Sequence, residues 1–165
     1  MENSEIESLY ESLKKLGIIK SPERIGQLWK VLNGYMAKKT VFYDMECIED
    51  DSSYGELFIE FWKVFRDELR IRRFDIKSFL DTKNKRAGIS VVIGEETLSS
   101  EWEQSADWVE SGFLTFIKEQ IEPRLGGRFV EFVTIDQGYR ALYLPKEVAD
   151  SADKLFRDLE EGQMW

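Results

Sequence analysis

The sequence predicts an α+β protein, with N-terminal helices followed by an antiparallel sheet in β-β-(β)-α-β-β-α order and helices packed on one face. Three observations carry this. Apolar residues recur at helical spacing through the first seventy of the 165 positions. From Phe74 onward they alternate in short runs. Most of those runs are joined by polar turns too short for a crossover helix, so neighbouring strands run antiparallel.

Ile6, Leu9, Tyr10, Leu13 and Leu16 share one helical face, and Gly17 is a natural stop. Ser21-Pro22-Glu23 restarts the chain with a cap residue, a proline at the first helical position and an early carboxylate. Ile25, Leu28, Trp29, Leu32 and either Tyr35 or Met36 form the stripe of the second helix. Residues 41–51 read as an irregular acidic segment. Ser53 and Glu56 suit a capping box for a third helix that buries Leu57, Phe58, Phe61, Phe65 and Leu69.

The period then changes. Phe74, Ile76 and Leu80 alternate with Asp75, Lys77 and Phe79, as in a strand with one wet face; residues 81–86 form a polar turn, and Ile89, Val91 and Ile93 form a second strand. Residues 94–103 fit a third strand or a loop. From Ser105, the positions of Ala106, Val109, Phe113, Phe116, Ile117 and Ile121 predict a helix that ends near Pro123 and Gly126-Gly127. Residues 128–135 are apolar on both sides, as in a central strand. Gln137-Gly138 turns the chain into a strand over 139–144, which Pro145 ends, and a last helix carries Val148, Ala152, Leu155, Phe156 and Leu159. A single domain over 1–165 is expected. The alternative is a division into a helical part, 1–70, and a sheet-containing part, 71–165, although no flexible linker marks the junction.

A chain of this length can remove roughly 70% of its unfolded surface from water, and 11 Phe, 6 Tyr and 5 Trp supply large apolar bodies. Histidine is absent and Cys47 is the single cysteine. These counts exclude a disulfide framework within the chain, Cys/His zinc sites and His-dependent triads. No run approaches the ~18 apolar residues of a membrane helix, and the acidic start MENSEIESLYESLKK lacks an apolar signal region. The expected location is the cytoplasm. The net charge of −9 is unevenly placed: residues 1–86 are neutral and residues 87–165 carry the whole excess. Such acidity repels nucleic acid and anionic membranes.

Two acidic runs are the leading candidates for function. Asp44, Glu46, Glu49, Asp50, Asp51, Glu56 and Glu60 lie between Val41 and Trp62 with no basic residue among them. Glu95, Glu96, Glu101, Glu103, Asp107 and Glu110 lie between Ala87 and Ile117, again with none. A negative surface of this kind steers a basic partner to itself. Trp102 and Trp108, inside the second run, are the residue type that anchors interfaces. Solvated faces and helix N-termini also carry such carboxylates, and either indole could be core.

The expected function is therefore a non-catalytic acidic module that occupies a basic partner protein, as an immunity protein or a nuclease inhibitor does. Glu95, Glu96, Glu101, Trp102, Glu103, Asp107 and Glu110 form one patch, and Asp44, Glu46, Glu49, Asp50 and Asp51 a second. No cofactor, direct nucleic-acid partner or membrane partner is expected. One alternative is a chaperone or adaptor for a secreted or assembling client.

A second alternative is a metal-dependent nuclease. Asp75-Ile-Lys77 and Asp81-Thr-Lys83 each match the Asp-x-Lys half of such a site, in which carboxylates hold the ion and lysine favours the attacking water. The basic stretch from Lys63 to Arg86 nets five positive charges and reads either as a groove or as wet faces paired with the acidic runs. Asp44 to Asp51 lacks the spacing and glycine of an EF-hand. Gly126-Gly127-Arg128 precedes a strand and is a turn, not a phosphate loop. Cys47 reads as a passive thiol, and Trp165 as a tip that docks on a partner or folds back on the core.

The element order over residues 71–165, with the low pI and small size, is similar to that of type III secretion chaperones. The resemblance is one of topology and implies an α+β fold for that part of the chain.

Overall fold

Among the described residues, six strands and three α-helices follow one another as β1 (Thr40–Asp44), α1 (Ser53–Phe65), β2 (Phe74–Asp81), β3 (Arg86–Ile93), β4 (Glu96–Glu103), α2 (Ser111–Phe116), β5 (Gly127–Glu131), β6 (Gly138–Pro145) and α3 (Lys146–Glu161). They belong to a computed structural model that describes residues 11, 14–15, 38–69, 73–131 and 137–161. The helix expected over 22–36, that over 6–16 apart from residues 11 and 14–15, which are helical, the strand continuation over 132–135, Arg70, Arg72 and Trp165 lie outside the described residues. So do the side chains of Leu155, Phe156 and Leu159.

The class is α+β, but with two three-stranded antiparallel sheets in place of one, in the orders β2-β3-β4 and β1-β6-β5. The first is a meander. Phe74 pairs with Ile93 and Asp81 with Arg86, then Arg86 with Glu103 and Ile93 with Glu96, which settles residues 96–103 as a strand. Gly94, at φ +64°, allows the two-residue reversal between β3 and β4. The second sheet joins distant parts of the chain, with Thr40 opposite Leu142 and Gly127 opposite Pro145.

Four expectations need correction. Residues 40–44 form a strand and not an irregular segment: Val41 and Tyr43 point into the core while Phe42 and Asp44 face out. The capping box at α1 does not form. Ser52 holds the N-cap position and its hydroxyl donates to Asp50 and Glu56, while Ser53 Oγ accepts the N–H groups of Glu49 and Asp50.

The helix expected from Ser105 begins at Ser111. Backbone groups of residues 106–109 are taken up by non-helical bonds, locally from Gln104 Nε2 to the carbonyls of Ala106 and Trp108 and across the fold with Met45 and Ile48, and Ala106 is exposed. The helix then widens into a π-turn, Ile117–Ile121, and ends as a 3-10 turn, Glu122–Arg124. Finally, β5 is not central. Among the described strands β6 holds that place, and β5 buries Phe129 on one face and Val130 on the other because helices cover both.

α1 lies between the sheets and shows why. Phe58 stacks on Phe74 of β2, while Phe61 meets Tyr43, Phe129 and Tyr139 of β1, β5 and β6. One wide apolar face thus serves two sheets. Phe113 and Phe116 of α2 close the same core. Behind the β1-β6-β5 sheet, Val130, Leu142 and Leu144 are buried on the side where α3 brings Val148, Ala149 and Ala152. The outer face of β2-β3-β4, with Asp75, Lys77, Ser99 and Glu101, is solvated, apart from Phe79, which lies over Gly88.

Close approach at Gly127 makes a testable point. A Cβ there would sit 2.5 Å from the Leu144 carbonyl oxygen and 2.7 Å from the Tyr143 ring. Its N–H also donates to Tyr143 Oη, which bonds Glu68. Gly127→Ala is expected to cost about 1–3 kcal/mol, since backbone cannot yield as a side chain can. A urea midpoint equal to that of the natural sequence would contradict it.

Candidate functional site

The segment that follows β1 does not leave the fold. It runs antiparallel to residues 107–109: Ile48 N–H donates to Asp107 O (2.9 Å), Val109 N–H donates to Met45 O (2.8 Å), and Glu46 lies directly opposite Trp108. Met45 N–H also donates to Gln137 O, and Gln137 Nε2 donates to Glu46, which brings the approach to β6 to the same place.

Beneath this pairing Tyr54 Oη donates to Gln104 Oε1 and accepts Glu110 N–H, a buried polar anchor on α1. Burial pushes the Tyr54 hydroxyl above its ordinary value, so it stays a neutral donor. The two acidic runs, 61 residues apart at Glu46 and Asp107, therefore meet along one rim.

Trp108 is 39% exposed on that rim. Around it stand Asp44, Glu46, Glu49 and Asp107, all exposed, and none of the four makes an ion pair among the described residues. The Asp44 carboxylate accepts Glu46 N–H, which fixes the turn out of β1. Glu49 and Asp107 make no side-chain bond at all among the described residues.

Not every expected residue belongs here. Glu95 and Glu96 sit at the β3–β4 turn; the strand from Glu96 to Glu103 is about 23 Å long, so they stand well away from the rim. Glu96 is held by Arg124 through both oxygens, and that guanidinium keeps its carboxyl below the usual range. Glu101 pairs with Arg86. Glu103 ends β4, exposed and unpaired among the described residues. Glu110 is half-buried and accepts both the N–H and the hydroxyl of Ser105.

Asp50 and Asp51 serve the start of α1. Asp50 accepts from Ser52 and Ser53, bonds that hold its carboxyl low. Asp51 Oδ1 accepts Leu80 N–H, and its carbonyl accepts the Ser78 hydroxyl, tying α1 to β2.

Trp102 and Trp108 are placed differently. Trp102 is half-buried, packing edge-on against Tyr54 and against Phe113, directly over Gly112. Trp108 takes the exposed position.

The other candidates fare as follows. Asp75 and Lys77 alternate outward on β2 beside inward Phe74 and Ile76. Asp81 holds the hairpin turn by accepting from Asn84 N–H and Nδ2, and those bonds lower its pKa. Among the described residues no three His, Cys, Asp or Glu side chains gather where they could hold a metal ion. In the basic stretch, Lys63 pairs with Glu60 and Arg86 with Glu101, one acid from each acidic run. No helix among the described residues is long and apolar enough to cross a membrane.

Cys47 is half-buried, and burial, with Asp44 and Glu49 nearby, pushes its thiol up to about 11. Its alkylation by iodoacetamide at pH 8 is expected to run roughly 100-fold slower than that of free cysteine, because the thiolate is the reacting form. A rate near that of free cysteine would show the thiol to be open to solvent.

Comparison with known proteins finds no match among family models, curated proteins or solved structures.

Proposed function

We propose that the rim around Trp108 docks a basic protein, and that the chain acts as a non-catalytic binding module of the inhibitor or immunity type. The supporting observation is the backbone pairing that sets Glu46 against Trp108 and so gathers Asp44, Glu46, Glu49 and Asp107 around an exposed indole. Unpaired carboxylates give a field that steers a cationic surface. A partly exposed tryptophan gains most when a partner completes its desolvation. The rest of the chain supplies rigidity, since the rim is bonded to α1 through Tyr54 and Gln104. A single half-buried thiol suits the cytoplasm. The acidic field argues against nucleic-acid and anionic-membrane partners.

The test is capture from native extract on the immobilised protein, alongside the doubly reversed variant Glu49→Lys/Asp107→Lys. One basic protein held by the natural sequence, released by salt and lost on the variant supports the reading. Retention of the same proteins by both surfaces removes the rim as the docking site.

A further inference from the structure

A second feature lies at the edge of β5 that pairs with no described strand, in a cleft of about 470 Å³ between the π-turn, β5 and α3. Pockets of a few hundred Å³ suit small molecules, and π-turns recur at functional sites because they displace side chains from regular helix positions. The cleft is lined by Lys118 and Glu122 from the helical side, Arg128 and Glu131 from β5, and Asp153 and Arg157 from α3. Among the described lining residues three cations balance three carboxylates, and the one apolar residue, Phe129, is itself almost wholly buried.

Glu122 makes no ion pair among the described residues, although Arg128, Lys118 and Lys146 lie near enough to act on its charge. It is only 9% exposed, and Oε1 accepts Phe129 N–H at 2.8 Å. Oε2 makes no hydrogen bond among the described residues, yet is not sealed from solvent, so it opens on the cleft. Burial raises the pKa of this carboxyl, against the opposing pull of the Phe129 N–H and of Arg128, Lys118 and Lys146.

The cations, by contrast, are held loosely. Arg128, itself 26% exposed, pairs with Asp150, which is 90% exposed; Arg157, 67% exposed, pairs with Asp153, and Lys118 pairs with Glu131. A pair with one partner in solvent contributes little, so each guanidinium has more to gain from an anion held inside the cleft. A purely anionic ligand would meet Glu122, and a purely cationic one would meet Lys118, Arg128 and Arg157. A molecule carrying both charges satisfies the lining.

We infer that this cleft binds a small zwitterion of the α-amino-acid type, with its ammonium group on Glu122 Oε2 and its carboxylate on Arg128 and Arg157. The site is independent of the rim around Trp108.

Titration of the 15N-labelled protein with L-alanine, N-acetyl-L-alanine and L-alaninamide tests it, because the Phe129 amide bonded to Glu122 reports occupancy directly. L-alanine should shift that resonance saturably, and each analogue, lacking one charge, should bind about tenfold or more weakly. Glu122→Gln keeps an acceptor for Phe129 N–H and should abolish the response; Arg157→Gln, at an exposed position, should weaken it. No saturable shift at millimolar L-alanine, or equal binding of either analogue, would overturn the inference.

Discussion

Phe61→Ala is expected to remove about 3–5 kcal/mol of stability, a large part of the ~5–15 kcal/mol that holds a domain folded. The ring is fully buried, and it lies 4.9 Å from Phe129, 5.7 Å from Phe113, 6.2 Å from Tyr43 and 6.3 Å from Tyr139 between centroids. Those four residues come from β5, α2, β1 and β6. Truncation therefore opens a cavity at the point where the middle helix meets one whole sheet, and the neighbouring rings are too rigid to fill it. Phe61→Leu keeps most of the volume and should cost about 1.5 kcal/mol or less. Urea unfolding, followed by tryptophan fluorescence, separates the two. A loss below about 1 kcal/mol for the alanine variant would mean that the helix does not present Phe61 to the sheet.

The same residue shows what could be read before the structure was known. Spacing alone placed Phe58, Phe61 and Phe65 on one buried face, because helix periodicity is local. That the face serves two sheets could not be read, since it depends on where β1 goes. β1 is five residues long, its outward Phe42 breaks the alternation, and its partner β6 lies almost a hundred positions later. The site divides in the same way. The density of carboxylates was visible, and so was tryptophan among them. Their meeting was not, because it rests on backbone bonds from Met45 and Ile48 to residues 107–109.

The exchange of roles between Trp102 and Trp108 was closer to legible. Once residues 96–103 are a strand, Leu98, Ser100 and Trp102 share its inner face, and Trp102 must pack toward the core. Trp108, past the end of that strand, has no such constraint.

That distinction sets the second large effect. Trp108→Ala should weaken binding of the basic partner about 30-fold or more, the range of a central aromatic anchor, and should act mainly by speeding dissociation. Glu49→Lys/Asp107→Lys should act on the other rate. Neither side chain makes a bond among the described residues, so reversal leaves the fold intact while it removes the local field. Association should slow about tenfold at low salt, and its dependence on ionic strength should flatten. Trp102→Ala is the contrasting variant: losing its packing on Tyr54 and Phe113 should destabilise the whole fold by about 3–5 kcal/mol. Surface plasmon resonance with the captured partner, alongside urea unfolding of each variant, separates these outcomes. If Trp108→Ala left dissociation unchanged while the charge reversals slowed association, the acidic field would guide encounter but the indole would lie outside the bound interface. If neither changed, the docking surface would have to be sought away from the paired segments.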